Sequence, residues 1–145
     1  MTGPEFIRSL RAFADKDVPE LIRTVHRKIT LEALTRLVLR TPVDTGRARA
    51  NWQVAIGARP QGEVQFPSRA HHLFTEPPSE PPPLSTAGQE AVDQGQKVVE
   101  QIPAFAISHV TNNVAYILKL EDGGSRQSPH GMLVLTFEEL TEMFR

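Results

Sequence analysis

Cysteine is absent from this chain of 145 residues. That excludes a disulfide framework and any thiolate metal site, and it fits assembly in a reducing compartment. Aromatic residues are scarce, with one Trp, one Tyr and seven Phe. A chain of this length hides only about two thirds of its unfolded surface, so extra burial between subunits is plausible for so modest a core. Neither sign of charge dominates. Sixteen Lys/Arg against seventeen Asp/Glu leave a net charge of −1, a poor balance for a general nucleic-acid binder. No apolar run approaches the ~20 residues of a membrane span, and residues 1–14 lack a signal core. A soluble chain, not exported by the usual route and without a membrane partner, is therefore expected. Phosphate-binding and dinucleotide-binding Gly-rich loops are missing, as are the Gly-x-Ser-x-Gly elbow and the His-Glu-x-x-His helix.

What charge there is divides along the chain. Residues 1–50 hold ten Lys/Arg against six Asp/Glu, a balance of +4, and residues 51–145 hold six against eleven, a balance of −5. Two solvated faces of one domain would produce this, as would basic and acidic surfaces that meet between subunits.

Periodicity predicts one domain spanning residues 1–145. A short helix is expected over Pro4–Ala14, with Phe6, Ile7, Leu10 and Phe13 on one side. Asp17 then has the chemistry of a cap, followed by Pro19 and Glu20, for a second helix running to about Leu39 and stopped by Pro42. That helix carries two apolar stripes. Val18, Ile22, Val25 and Ile29 form one; Leu31, Leu34 and Val38 lie nearly opposite. Two partners are needed, one of them the domain's sheet and the other either the first helix or another subunit. From Arg47 to Ile56 apolar and polar residues alternate, which predicts a strand paired as a hairpin with a second strand holding Val64 and Phe66. Residues 67–84 are rich in proline, including Pro77, Pro78 and Pro81, and form a long loop or arm suited to gripping a neighbour. A helix weakened by Gly88 and Gly95 is expected over 85–101 and a strand over 104–110. A helical turn over 115–121 is broken by Asp122-Gly123-Gly124, and a last helix runs over 132–144 with Leu133, Phe137, Leu140 and Phe144 on one face. The fold class expected is α+β: N-terminal helices on a small antiparallel sheet, with a C-terminal helix.

Candidate chemistry is thin. His71-His72, with His109, His130, Asp44 or Glu121 at a distance, is the best metal candidate, but adjacent histidines point apart and no metal site or cofactor is expected. Asp44, Glu121 and Asp122 would supply carboxylates for acid–base work, yet Asp beside a turn Gly is favoured for structure alone. Arg40, Arg47 and Arg49 form a basic group. Arg47 and Arg49 would share a strand face, able to meet DNA phosphates without reading sequence or to pair with an acidic neighbouring subunit.

One stretch carries more. Thr41-Pro42-Val43-Asp44-Thr45-Gly46-Arg47, followed by Ala48-Arg49-Ala50-Asn51-Trp52, resembles the (S/T)PVDTG-(R/K)-L-R-x-S/N-W signature of tailed-phage head–tail joining proteins, also called neck, tail-completion or minor tail proteins. Thr111-Asn112-Asn113-Val114-Ala115-Tyr116 and Leu120-Glu121-Asp122-Gly123-Gly124 resemble a second segment of that family, and Ser128–Met132 resembles the loop before its last helix. Ala48 stands where Leu is commoner, and Ile117 where Ala is usual.

The resemblance implies a non-enzymatic virion protein without cofactors. It would assemble as a homo-oligomeric ring, often a hexamer, at the head–tail junction after passing through the host cytoplasm. Its neighbours would be connector, tail-terminator or tail-tube proteins, with DNA passing non-specifically through the ring. Pro42, Asp44, Thr45, Gly46, Trp52, Tyr116, Glu121 and Gly123 would be fold-defining. Arg40, Arg47, Arg49, Pro77, Pro78 and Pro81 would serve the interface or the channel. A DNA-contacting module and a metal-dependent hydrolase are the alternative expectations.

Overall fold

The computed structural model describes residues 1–43, 46–65 and 86–145. Asp44, Thr45, Phe66, His71, His72, Pro77, Pro78, Pro81 and the whole 67–84 arm lie outside the described residues.

Helix α1 (Gly3–Ala12) opens where Thr2 and Glu5 hold each other. The Thr2 amide donates to Glu5 Oε2 at 2.6 Å, its hydroxyl donates to the same oxygen at 3.0 Å, and Pro4 fills the first turn. The expected break at Asp17 does not occur. A π turn (Phe13–Asp17) leads directly into α2 (Val18–Arg40), and Asp17 is helical and makes no side-chain cap bond. The Val18 amide donates to Phe13 O, five residues back. Pro19 has no N–H to offer Asp15 O and its ring needs room there, and the wider turn just before it supplies that room. Residues 3–40 thus form one helix ~57 Å long at 1.5 Å per residue.

Only the second half of this helix enters the core. Thr30, Leu34, Leu37 and Val38 are buried there. Phe6, Ile7, Leu10 and Phe13 are each more than half exposed, and Leu21 is 63% exposed. Because α1 continues α2 as one rod, it folds back on neither stripe of α2: Leu34 and Val38 of one stripe are buried in the core, while in the other Val18, Ile22 and Ile29 are half-buried and Val25 is exposed.

The helix ends as expected before Pro42. A left-handed Gly46 (φ 83°) then starts α3 (Arg47–Ala50). The Arg-Ala-Arg-Ala alternation is therefore a helical turn rather than strand, closed by the Ala50 amide donating to Gly46 O at 3.0 Å. Strand β1 (Trp52–Ile56) follows. Its partner is β2 (Ser108–Asn112), antiparallel, with Trp52 opposite Asn112 and Ile56 opposite Ser108. The expected hairpin with Val64 is absent. Residues 57–65 instead form a loop pinned by amide side chains: Asn51 brackets Val64, accepting from its N–H at 2.6 Å, and Asn113 donates to Pro60 O and Gly62 O. The strand expected over 104–110 begins later, because Pro103–Ala106 is a turn in which Phe105 takes φ 61°.

Helix α4 (Thr86–Val99) packs on α2 and β1. Gly95 allows this close approach, since an added Cβ would overlap Leu34 Cδ2 and press on Val54. After β2, α5 (Ile117–Glu121) ends at the expected break, Asp122-Gly123-Gly124. The Gly124 amide donates to Lys119 O at 2.8 Å and the Gly123 amide to Leu120 O at 3.2 Å, with Gly123 left-handed at φ 81°. This is a Schellman stop. Helix α6 (Leu133–Met143) closes the fold against the C-terminal half of α2. Its expected apolar face is split: Thr136 is buried, whereas Leu133 and Phe137 point outward. Leu34, Leu37, Val38, Trp52, Ala91 and Met132 form the core, and the α+β class holds.

Candidate functional site: the signature corner

The corner between α2 and β1 is a buried polar knot. Thr41 is fully buried, and its hydroxyl donates to Leu37 O at 2.6 Å. A hydroxyl has one proton, so its lone pair accepts from the Trp52 indole N–H at 2.7 Å, and Met132 Sδ is a packing contact at 3.2 Å. Trp52 thereby locks the strand to the helix end. Asn51, also fully buried, donates to Arg47 O at 2.8 Å and so fixes the helical turn that Gly46 starts.

The three arginines do not form one basic face. Arg49 turns inward and caps α2, donating from Nε to Thr41 O at 2.7 Å and from Nη2 to Leu39 O at 3.2 Å. Burial lowers its guanidinium pKa from the ordinary value. Arg47 points outward and grips Glu63 through Nε at 2.9 Å, and this bond raises the Arg47 pKa. Arg40 pairs with Glu139 of α6, which also holds Arg36 at 2.5 Å. Arg47 and Arg49 do not project from one strand face because residues 47–50 are helical, and neighbouring helical positions diverge.

The second motif meets the first. Pro42, Gly46 and Arg47 line one surface groove together with Tyr116, Lys119 and Gln127. Gln127 makes the tightest link: its side-chain carbonyl accepts from Val43 N–H at 2.9 Å and its amide donates to Val43 O at 2.9 Å. This is a strand-like pair of bonds made by one side chain. Tyr116 lines this groove and is 38% exposed.

Glu121 has a role its spacing did not reveal. Among the described residues it pairs with no arginine. Its carboxylate caps α6, accepting from Met132 N–H at 2.8 Å, Leu133 N–H at 2.9 Å and Val134 N–H at 3.4 Å. Helix α6 has no side-chain cap of its own, since Met132 stands at the cap position. Gly131 (φ 79°) makes the approach possible, because a Cβ there would collide with Glu121 O and Oε1. Gly123 needs the same freedom, its Cβ position being taken by Pro129 O.

Glu121 commits both oxygens to α6, and His109 faces Gly57 O at 3.2 Å. Among the described residues no three His, Cys, Asp or Glu side chains cluster as metal ligands. One Ser–His contact exists among the described residues, His26 Nε2 to Ser108 Oγ at 2.8 Å. Ser108 also meets Thr30 Oγ1 at 3.0 Å, and Thr30 donates to His26 O at 2.9 Å. With Thr30's proton committed, Ser108 must donate to Thr30 and accept from His26. The ring nitrogen is then a donor, the wrong tautomer for a base that activates serine. The chain of bonds clips α2 to β2. Likewise, no described helix is long and apolar enough to cross a membrane.

Compared with family models, with curated proteins and with solved structures, the chain finds no match.

Proposed function

We propose that this chain is a non-enzymatic structural subunit of a phage head–tail junction, acting by assembling into a ring that joins connector to tail. The observation that carries the reading is the meeting of two motifs some seventy residues apart in sequence. Pro42, Gly46 and Arg47 of the first share a groove with Tyr116 of the second, and Glu121 of the second positions the last helix. Residues that resemble a family signature are thus engaged in one corner of the fold, as a fold-defining signature requires. The bare N-terminal stripe supports an assembling role, since contiguous exposed apolar surface marks interaction sites. The DNA-contacting reading has weaker support, because Arg40, Arg47 and Arg49 all have partners within the chain.

Deleting the gene from its parent genome and imaging the lysate tests the proposal. Filled heads and separate tails are expected, with joining restored by the supplied protein. Complete particles of normal infectivity in the deletion would reject it.

A further inference from the structure

Two apolar helix faces are left bare at opposite ends of this molecule. On α1 the face is Phe6, Ile7, Leu10 and Phe13, 51–55% exposed. On α6 it is Leu133, Val134 and Phe137, at 49%, 58% and 72%. These faces cannot meet within one chain. Glu139 fixes α6 to Arg36 and Arg40, and Lys28 lies over the Phe144 ring at 5.9 Å, so α6 runs back along the C-terminal half of α2. Leu10 lies 26 residues before Arg36 on the same rod, ~39 Å away.

We infer that the α1 face of one copy seats on the α6 face of the next, a head-to-tail contact between identical chains. Charge and length favour this occupant. Arg11 and Lys16 flank the α1 stripe, at i+4 from Ile7 and i+3 from Phe13, whereas exposed Glu138 and Glu142 flank the α6 stripe, at i+4 and i+8 from Val134. The stretch from Phe6 to Phe13 covers ~10 Å, within the ~16 Å of α6. Two α1 helices paired with each other fit less well. Asp17 falls between Phe13 and Leu21 along the continuing stripe, and a symmetric pair would bury it twice.

A contact between different patches is heterologous, so its repetition closes a ring or continues as a filament. The seven side chains hold on the order of 600 Å² of bare apolar surface, so one contact is weak beside the ~1,200–2,000 Å² of standard interfaces. Ring closure, which holds every copy at two contacts, strengthens it. The inference rests on the proposed function only for that closed ring. The contact is measured in purified protein and the head–tail role in particles, so either can fail without the other.

Mass photometry and sedimentation velocity on the full chain, Leu10→Glu, Phe137→Glu and their equimolar mixture test the contact. The wild type is expected to form concentration-dependent oligomers, and each variant to stay monomeric with unchanged far-UV circular dichroism. The mixture is expected to stop at a dimer, because one variant keeps α6 intact and the other keeps α1. Arg11→Glu should weaken assembly by about tenfold, and adding Glu138→Arg should restore it. Should either of the glutamate variants misfold, this charge exchange decides alone. A wild type that is monomeric at every concentration, Phe137→Glu assembling normally, or a mixture without dimers would overturn the inference.

Discussion

Replacing Glu121 by Ala removes the whole N-terminal cap of α6, and the structure allows its cost to be worked out. Three backbone donors lose their acceptor. Leu133 and Val134 are half exposed, so water takes over their N–H groups at little cost. Met132 is fully buried, so its N–H is stranded. A stranded buried donor costs about 1–3 kcal/mol, and a lost carboxylate at a helix N-terminus adds about 0.3–1 kcal/mol. The expected loss is about 2 kcal/mol for Glu121→Ala. Glu121→Gln keeps an oxygen acceptor but loses the charge, and should lose about 1 kcal/mol. Urea unfolding should show lower midpoints in that order at constant m, with Tm down by about 4–8 °C for Ala. Hydrogen exchange adds a local signature, since the Met132 amide should lose protection in the native state before the α2 amides do. If Glu121→Ala loses under 0.5 kcal/mol and Met132 stays protected, the capping argument is wrong.

Three further substitutions test other parts of the fold. Gly95→Ala should destabilise by about 1–2 kcal/mol in thermal unfolding, because its overlap with buried Leu34 outweighs the ~1 kcal/mol gain in helix propensity. Phe105→Gly should raise stability by about 0.5–1 kcal/mol, since the exposed Phe105 holds φ 61° where glycine is unstrained, and a drop instead would mean that its ring packs usefully. Thr136→Val should be neutral or stabilising by up to about 1 kcal/mol, because the buried Thr136 hydroxyl has no partner among the described residues, and chemical denaturation showing a loss above 1 kcal/mol would reveal one.

Chain punctuation was legible in the sequence where the physics is local. Pro42 ends α2 and Gly123 ends α5 because one needs a fixed φ without a donor and the other a positive φ. The two opposed stripes of the long helix were also legible, as periodicity is a property of the segment alone. Pro19 misled because a π turn absorbs a proline that would otherwise mark a helix start. Arg47–Ala50 misled because alternation over four residues also fits a single helical turn. Strand pairing was lost for a different reason: Val64 is near in sequence, but β2 supplies five paired residues, while among the described residues Val64 is served by Asn51. Glu121, Gln127 and Asn51 were illegible in role, since each bonds backbone at a distance that no spacing encodes.

Trp52 has one more consequence. It is the chain's single tryptophan, so the protein carries one intrinsic fluorophore at a known address. The indole is 4% exposed, donates to Thr41 and lies in the cluster with Met132. Its emission therefore reports the corner alone, shifting to the red when water reaches it. Both bare helix faces are built from other residues, so light from Trp52 follows folding while mass follows association. The two processes can be read separately in one cuvette, without a label.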